Sequence, residues 1–219
     1  MAVNPMNEAK RSKLNLMGII VLLVLTSFSS VIMASDGNDQ ATKNVYLSEA
    51  LQIDFVHKED ELFIKTNVKA RIMDASLDQA KELIFDLSQI TTWLGGVKEA
   101  TVIKRFSANR QKGVLINQMP FPLDDREVVI LLEVASADEN HILLKMSSDY
   151  LDAPANKKYV RVEPYTAELM LTKDGDDVVF ELSDFYNPKV RSVPKFAVVS
   201  HLKSISYDTI DNVSKLEFN

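Results

Sequence analysis

Side chains able to do chemistry are few and scattered in this chain. Its 219 residues include no cysteine and three histidines, His57, His141 and His201. None of these histidines has the short spacing that offers two nitrogens to one metal ion. His57 abuts a turn, His141 opens a strand and His201 sits on the last helix, so each reads as a surface or internally satisfied residue. No G-x-S-x-G elbow, H-E-x-x-H pair or glycine-rich phosphate loop occurs. With 31 acidic residues, carboxylate pairs arise by number alone and single out no site. One cation stands apart. In "MPFPLDDREVVILLEV", residues 119–134, Arg126 opens the longest apolar run. A guanidinium there stays charged and presents a planar fork of donors to a carboxylate or another polar group. If buried it needs a partner, for which Glu127 and Glu133 are the candidates. If exposed it forms a weak surface pair, since Asp124, Asp125 and Glu127 are all near in sequence. Arg161 reads as solvated or paired with Glu163 or Glu168.

The elements that must position these residues follow from periodicity. "VYLSEALQI" (45–53) is compatible with a short helix. "DFVHKEDELFIKTNVKARI" reads as a hairpin turning at 58–60, because β-branched residues alternate with polar ones. The period then changes. Leu77, Ala80, Leu83, Ile84 and Leu87 share a helical face, with Ser76 as cap and Gln79 as its capping-box partner. Ile90 and Trp93 fit a second short helix, ended by Gly95 and Gly96. Strand-like runs follow at 99–106, 112–119, 126–135, 141–148, 158–172 and 177–185, with links short enough for antiparallel hairpins. Pro194 suits a helix start. After it Phe196, Val199, Leu202, Ile205, Ile210, Val213 and Leu216 recur at three and four, without glycine or proline to the end. A curled antiparallel sheet covered by one long C-terminal helix satisfies this order, with apolar side chains lining the gap between them.

Composition bounds the function. Lys10, Arg11 and Lys13 precede residues 14–34, which carry no charge and are solidly apolar over 19–25. Small residues near the end, Ser29, Ser30 and Ala34, make this a secretory signal peptide cleaved after Ala34. The alternative is a retained anchor, since the stretch approaches the roughly 20 residues a bilayer span needs. Residues 35–44 read as a loose leader and 45–219 as one domain. Without 1–34 the chain has 22 basic and 30 acidic residues, a net of −8. That balance argues against nucleic acid, which is bound by neutralising phosphates. The remaining 185 residues bury about 70% of their unfolded surface, enough for a core with a cavity in it. No disulfide supports that core.

The stretch 119–134 resembles the signature strand pair of START domains, the steroidogenic acute regulatory protein-related lipid-transfer domains. The matching residues are Pro120, Phe121, Pro122, Arg126 and Glu127. Three further stretches are similar in order and spacing: "LIFDLSQITTWLGGVKEATVI", "KKYVRVEPYTAELML" and "SDFYNPKVRSVPKFAVV". Leu94 stands where many members carry Asp, and Lys189-Val190 where many carry Gly-Gly, which implies a different loop over the cavity mouth. The resemblance implies an α+β helix-grip fold. In that fold a curved antiparallel sheet wraps a long C-terminal helix around an apolar cavity for a lipid or sterol-like ligand. It implies a monomer with transient membrane contact and no cofactor, while the signal peptide implies an exported setting, most simply a bacterial periplasm. Arg126 is then a cavity-side cation holding a polar headgroup. Trp93, Met146, Met170, Phe180, Phe196 and Val199 are candidates for the apolar wall, with plain core packing as the alternative for each. Related helix-grip folds include cyclases and hydrolases, so an enzyme acting on a hydrophobic aromatic substrate is the rival reading. A frame filled by its own side chains is the third.

Overall fold

Period-two alternation governs most of the chain, and strands result. The computed structural model describes residues 42–58, 61–190 and 193–218. Three strands open it: β1 (Thr42–Leu47), β2 (Leu51–Lys58) and β3 (Glu61–Ile72). Next come α1 (Leu77–Phe85), a 3-10 turn (Leu87–Gln89) and α2 (Ile90–Trp93). A meander follows: β4 (Val97–Ser107), β5 (Arg110–Asn117), β6 (Arg126–Ala137), β7 (His141–Ser148), β8 (Val160–Arg161), β9 (Tyr165–Asp174) and β10 (Asp177–Tyr186). The helix α3 (Lys195–Ser214) closes it. Nine strands pair in the order β1-β2-β3-β10-β9-β7-β6-β5-β4, all antiparallel, and β8 lies parallel to β6. Because β10 pairs with β3, the opening hairpin and the meander form one sheet. Cross-strand ion pairs such as Lys69–Glu181 at 2.9 Å and Lys145–Glu168 at 3.0 Å decorate its outer face.

The inner face holds the core. Leu51, Ile53 and Phe55 of β2, Ile130 and Leu132 of β6, and Val178, Phe180 and Leu182 of β10 are all buried. α1 starts as its sequence dictates, with Ser76 and Gln79 forming a complete capping box. α3 packs on β2, β3 and α2 through Leu202, Ser206, Thr209 and Val213. Its N-cap is Pro194, whose side chain caps nothing.

Four local expectations are corrected. Residues 45–53 are not helical. They are the end of β1, a turn, and the start of β2, because Leu51, Ile53 and Phe55 keep the two-residue phase that the core requires. Ser48 holds that turn, donating its N–H to the Leu51 carbonyl at 2.8 Å and accepting the Leu51 N–H on Oγ at 3.1 Å. β1 also takes in Thr42–Asn44, which the sequence assigned to the leader. The run 158–172 is broken between β8 and β9, where Pro164 has no N–H to give to a ladder. α3 stops at Ser214, so Leu216 lies past the last turn. The expected signal peptide, 1–34, and its alternative, an anchor at 14–34, lie outside the described residues. Among the described residues no helix is long and apolar enough to cross a membrane.

Candidate functional site

Strand phase decides which side chains can reach the space under α3. On β3 the even residues Ile64, Thr66 and Val68 point inward, on β6 Arg126 and Val128, and on β10 Leu182, Asp184 and Tyr186. Leu115 of β5 and Tyr165 of β9 complete the sheet side, while Val198, His201, Leu202 and Ile205 of α3 close the opposite wall. Loops wall one end, with Met119, Pro120 and Leu123 on one side and Pro188, Val190 and Val193 on the other. The enclosed volume is about 140 Å³. That is roughly half the lower bound of the ~300–1,000 Å³ usual for ligand pockets. The hollow exists, but at rest it is narrow.

α3 is held unequally along its length. Gly95 has no side chain because an added Cβ would sit 2.1 Å from the Ile205 carbonyl oxygen. Its N–H donates to Thr209 Oγ1 at 2.9 Å, and that hydroxyl donates to the Ile205 carbonyl at 2.9 Å. Gly96 adopts a φ of +81°, which a side chain would disfavour. The second half of α3 is therefore fastened to the α2–β4 turn. Its first turns are not, and Phe196 there is 77% exposed.

Arg126 is buried, and among the described residues it forms no ion pair. Its Nε donates to the Pro188 carbonyl at 3.0 Å and Nη2 to the Lys189 carbonyl at 3.4 Å, while Nη1 donates to the Asp124 carbonyl. The guanidinium thus staples the turn before β6 to the loop after β10. Burial pulls its pKa down, against the opposing fields of Asp124 and Asp125. The expected partners are engaged elsewhere. Glu127, one residue out of phase, faces the other side of the sheet and accepts from Arg161 Nη2 at 2.6 Å and Nε at 2.9 Å. Arg161 accordingly pairs with neither Glu163 nor Glu168. Glu133 lies 3.8 Å from Arg110.

Other polar groups face the cavity. Asp184 Oδ1 is buried without a hydrogen-bond partner among the described residues. Burial pushes that carboxyl up to about 7, while hydrogen bonding from the Thr66 side chain and backbone acts in the opposite direction. Tyr165 and Tyr186 stand beside it with ring centroids 6.1 Å apart. Burial, and then the Asp184 charge, raise both phenols well above their ordinary value. His201 is shifted down by burial, which favours the neutral imidazole.

The family model for the START domain matches residues 39–201. The chain belongs to the START domain family. Its fold is that of the family's helix-grip structures. A STAR-related lipid transfer protein from Xanthomonas axonopodis superposes with a TM-score of 0.61 at 17% identity, covering 78% of this chain and 96% of that one. Human STARD10 gives 0.59 at 17% identity, covering 78% and 71%. The human StarD13 (DLC2) lipid transfer and protein localization domain gives 0.59 at 12% identity, covering 99% and 100%. No curated protein sequence matches significantly. Membership supports the binding of a hydrophobic ligand by this START domain.

Of the seven wall residues expected in the START domain, Arg126 reaches the cavity and six do not. Trp93 and Phe180 pack edge to face, with centroids 5.8 Å apart, and fill the core beyond the cavity's end. Met146 is buried among core neighbours, opposite Leu132 and Ala167. Met170 is out of phase with the inward residues Ala167, Leu169 and Leu171 of its own strand. Phe196 points outward, and Val199 packs against the core beside the hollow. The residues missed are Asp184, Tyr165, Tyr186, Thr66 and His201. A signal for Asp184 was present: it keeps phase with Phe180 and Leu182, which puts an acid on an apolar face.

Proposed function

We propose that this START domain is an exported carrier that holds one lipid or other hydrophobic molecule between the sheet and α3. The observation that carries the reading is the apolar hollow beneath α3, with polar groups set into an otherwise aliphatic wall. Burying an acyl chain there contributes about 0.8 kcal/mol per methylene. A lipid-sized guest exceeds about 140 Å³, so loading requires the first turns of α3 to swing out from the Gly95 anchor, as lids do. Phe121, 97% exposed, and Phe196 flank the loop-walled end and suit insertion into a bilayer surface during exchange. The basic and apolar segment at 10–34 supports export, with periplasmic release or anchoring as its two outcomes. The test is mass spectrometry of an organic extract of the purified protein, together with uptake of a fluorescent lipid. A stoichiometric hydrophobic species is expected. An empty extract with no uptake would overturn the reading.

A second reading, an enzyme acting on a hydrophobic aromatic substrate, draws on Asp184 and His201, two titratable groups on opposite walls of one cavity. Among the described residues neither side chain hydrogen-bonds to the other, as a base and its orienting partner would. Binding is therefore preferred.

A further inference from the structure

Tyr46 and Tyr207 stand 161 positions apart in the chain, yet their hydroxyl oxygens meet at 2.7 Å. The first belongs to β1 and the second to α3. Their rings cross edge to face with centroids 6.5 Å apart. Ser48 Oγ lies 3.4 Å from the Tyr207 oxygen, and Lys203 Nζ lies 4.0 Å from the centre of the Tyr46 ring. Hydrogen bonding with Ser48, then with Tyr46, holds the Tyr207 phenol below its ordinary value, and the Lys203 charge acts in the same direction. A phenol that releases its proton easily also releases an electron easily. The pair is at the surface, with Tyr207 40% exposed. There a hydrogen bond competes with water and is a weak tie. β1 is an edge strand bonded to β2, so this contact joins it to the C-terminal helix.

We propose that Tyr46 and Tyr207 are a site of oxidative cross-linking, at which a dityrosine bond fixes β1 to α3. The oxidant is hydrogen peroxide acting through a haem peroxidase. Each phenol gives one electron to the peroxidase and one proton to water. The two phenoxyl radicals then join through the ring carbons next to their oxygens. Those carbons lose their hydrogens as the oxygens regain protons. In sum one C–C bond forms, two C–H bonds break, and one hydrogen peroxide is reduced to two waters. Contact between the hydroxyls already brings the joining carbons near each other, so side-chain rotation at the surface completes the approach. The chain has no cysteine, so a covalent tie between distant segments has to use another side chain. Among the described residues a second tyrosine pair, Tyr165 and Tyr186, has centroids 6.1 Å apart. It lines the hollow beneath α3, out of reach of a protein-sized oxidant. Ring distance alone favours that pair, whereas exposure favours Tyr46 and Tyr207. The site lies outside the cavity and is independent of the carrier reading.

The test treats the full chain, dilute enough that molecules seldom meet, with hydrogen peroxide and a haem peroxidase, and reads dityrosine fluorescence and peptide masses. A monomer is expected in which peptides holding Tyr46 and Tyr207 are joined with the loss of two hydrogens. Tyr46→Phe and Tyr207→Phe each keep the ring and the fold, and each is expected to lose this product. Tyr165→Phe is expected to keep it. The cross-linked monomer is expected to unfold at a higher urea concentration than the untreated chain, because a tie between distant segments constrains the unfolded state. The same treatment is expected to give neither Phe variant that shift. An absence of dityrosine, links between separate molecules only, a link between Tyr165 and Tyr186, or an intramolecular link that persists in Tyr207→Phe overturns the site. A cross-linked monomer that unfolds at the same urea concentration as the untreated chain overturns the fixing of β1 to α3.

Discussion

Replacing Asp184 by Asn isolates the consequence of burying that carboxyl, because the amide keeps the shape and cannot ionise. In the folded protein burial raises the carboxyl to about 7, against about 3.9 for a free aspartate. The native state therefore holds this proton more tightly than the unfolded chain. The resulting stability is complete below about pH 4 and is lost as pH rises through about 7. Between those values the loss is about 1.4 kcal/mol per pH unit, so the full swing is on the order of 4 kcal/mol. Urea unfolding of the parent and Asp184→Asn at unit steps from pH 4 to pH 9 gives the difference directly. The Asn variant is expected to gain on the parent steadily up to about pH 7 and to hold its lead above that. Any cost of seating the amide is a constant offset. His201, shifted down by burial, loses stability as pH falls, but it is common to both proteins and cancels. A difference that does not vary with pH, or one that shrinks as pH rises, would refute the reasoning.

Three further outcomes are expected. Arg126→Met releases the Pro188 and Lys189 carbonyls from their staple, so thermal stability falls by about 1–2 kcal/mol and stopped-flow uptake of an apolar probe quickens severalfold. A slower uptake would show that the loop is no barrier. Gly95→Ala drives a methyl group into the Ile205 carbonyl region, costs about 1–3 kcal/mol by overpacking, and lowers Tm by calorimetry. An unchanged Tm would mean that the second half of α3 is not anchored there. Phe121→Ser with Phe196→Ser removes two exposed apolar side chains, so Tm is unchanged within about 0.5 kcal/mol while transfer between fluorescent vesicles slows at least severalfold.

The fold was legible because each element repeats its own instruction. Ser76 and Gln79 announce the first turn of α1, and alternation through 177–185 names the inward residues of β10. Residues 45–53 misled because a stretch that short fits either period. Only the phase carried on by Phe55 into a buried strand decides between them, and that is information from outside the window. The break at Pro164 was readable from the missing N–H alone.

The site was legible only where strand phase carries the information. Phase places Asp184 and Tyr186 inward with Leu182, and Met170 outward. Size and apolarity, which had recommended Met170 and Phe196, say nothing about direction. Phase does not say where along the sheet the hollow ends, and Trp93 and Phe180 show why. Both lie on the inner face, but they meet each other and close the space that either alone would have lined. Arg126 poses the hardest problem. Its place at the head of β6 pointed to a carboxylate, yet its partners are the carbonyls of Asp124, Pro188 and Lys189. Every residue has a carbonyl, so no residue type marks such a partner, and two of these lie 62 and 63 positions away. A buried guanidinium without an acid in reach is therefore better read from sequence as a tie between two loops than as half of an ion pair. In this chain that tie crosses the loop-walled end of the cavity.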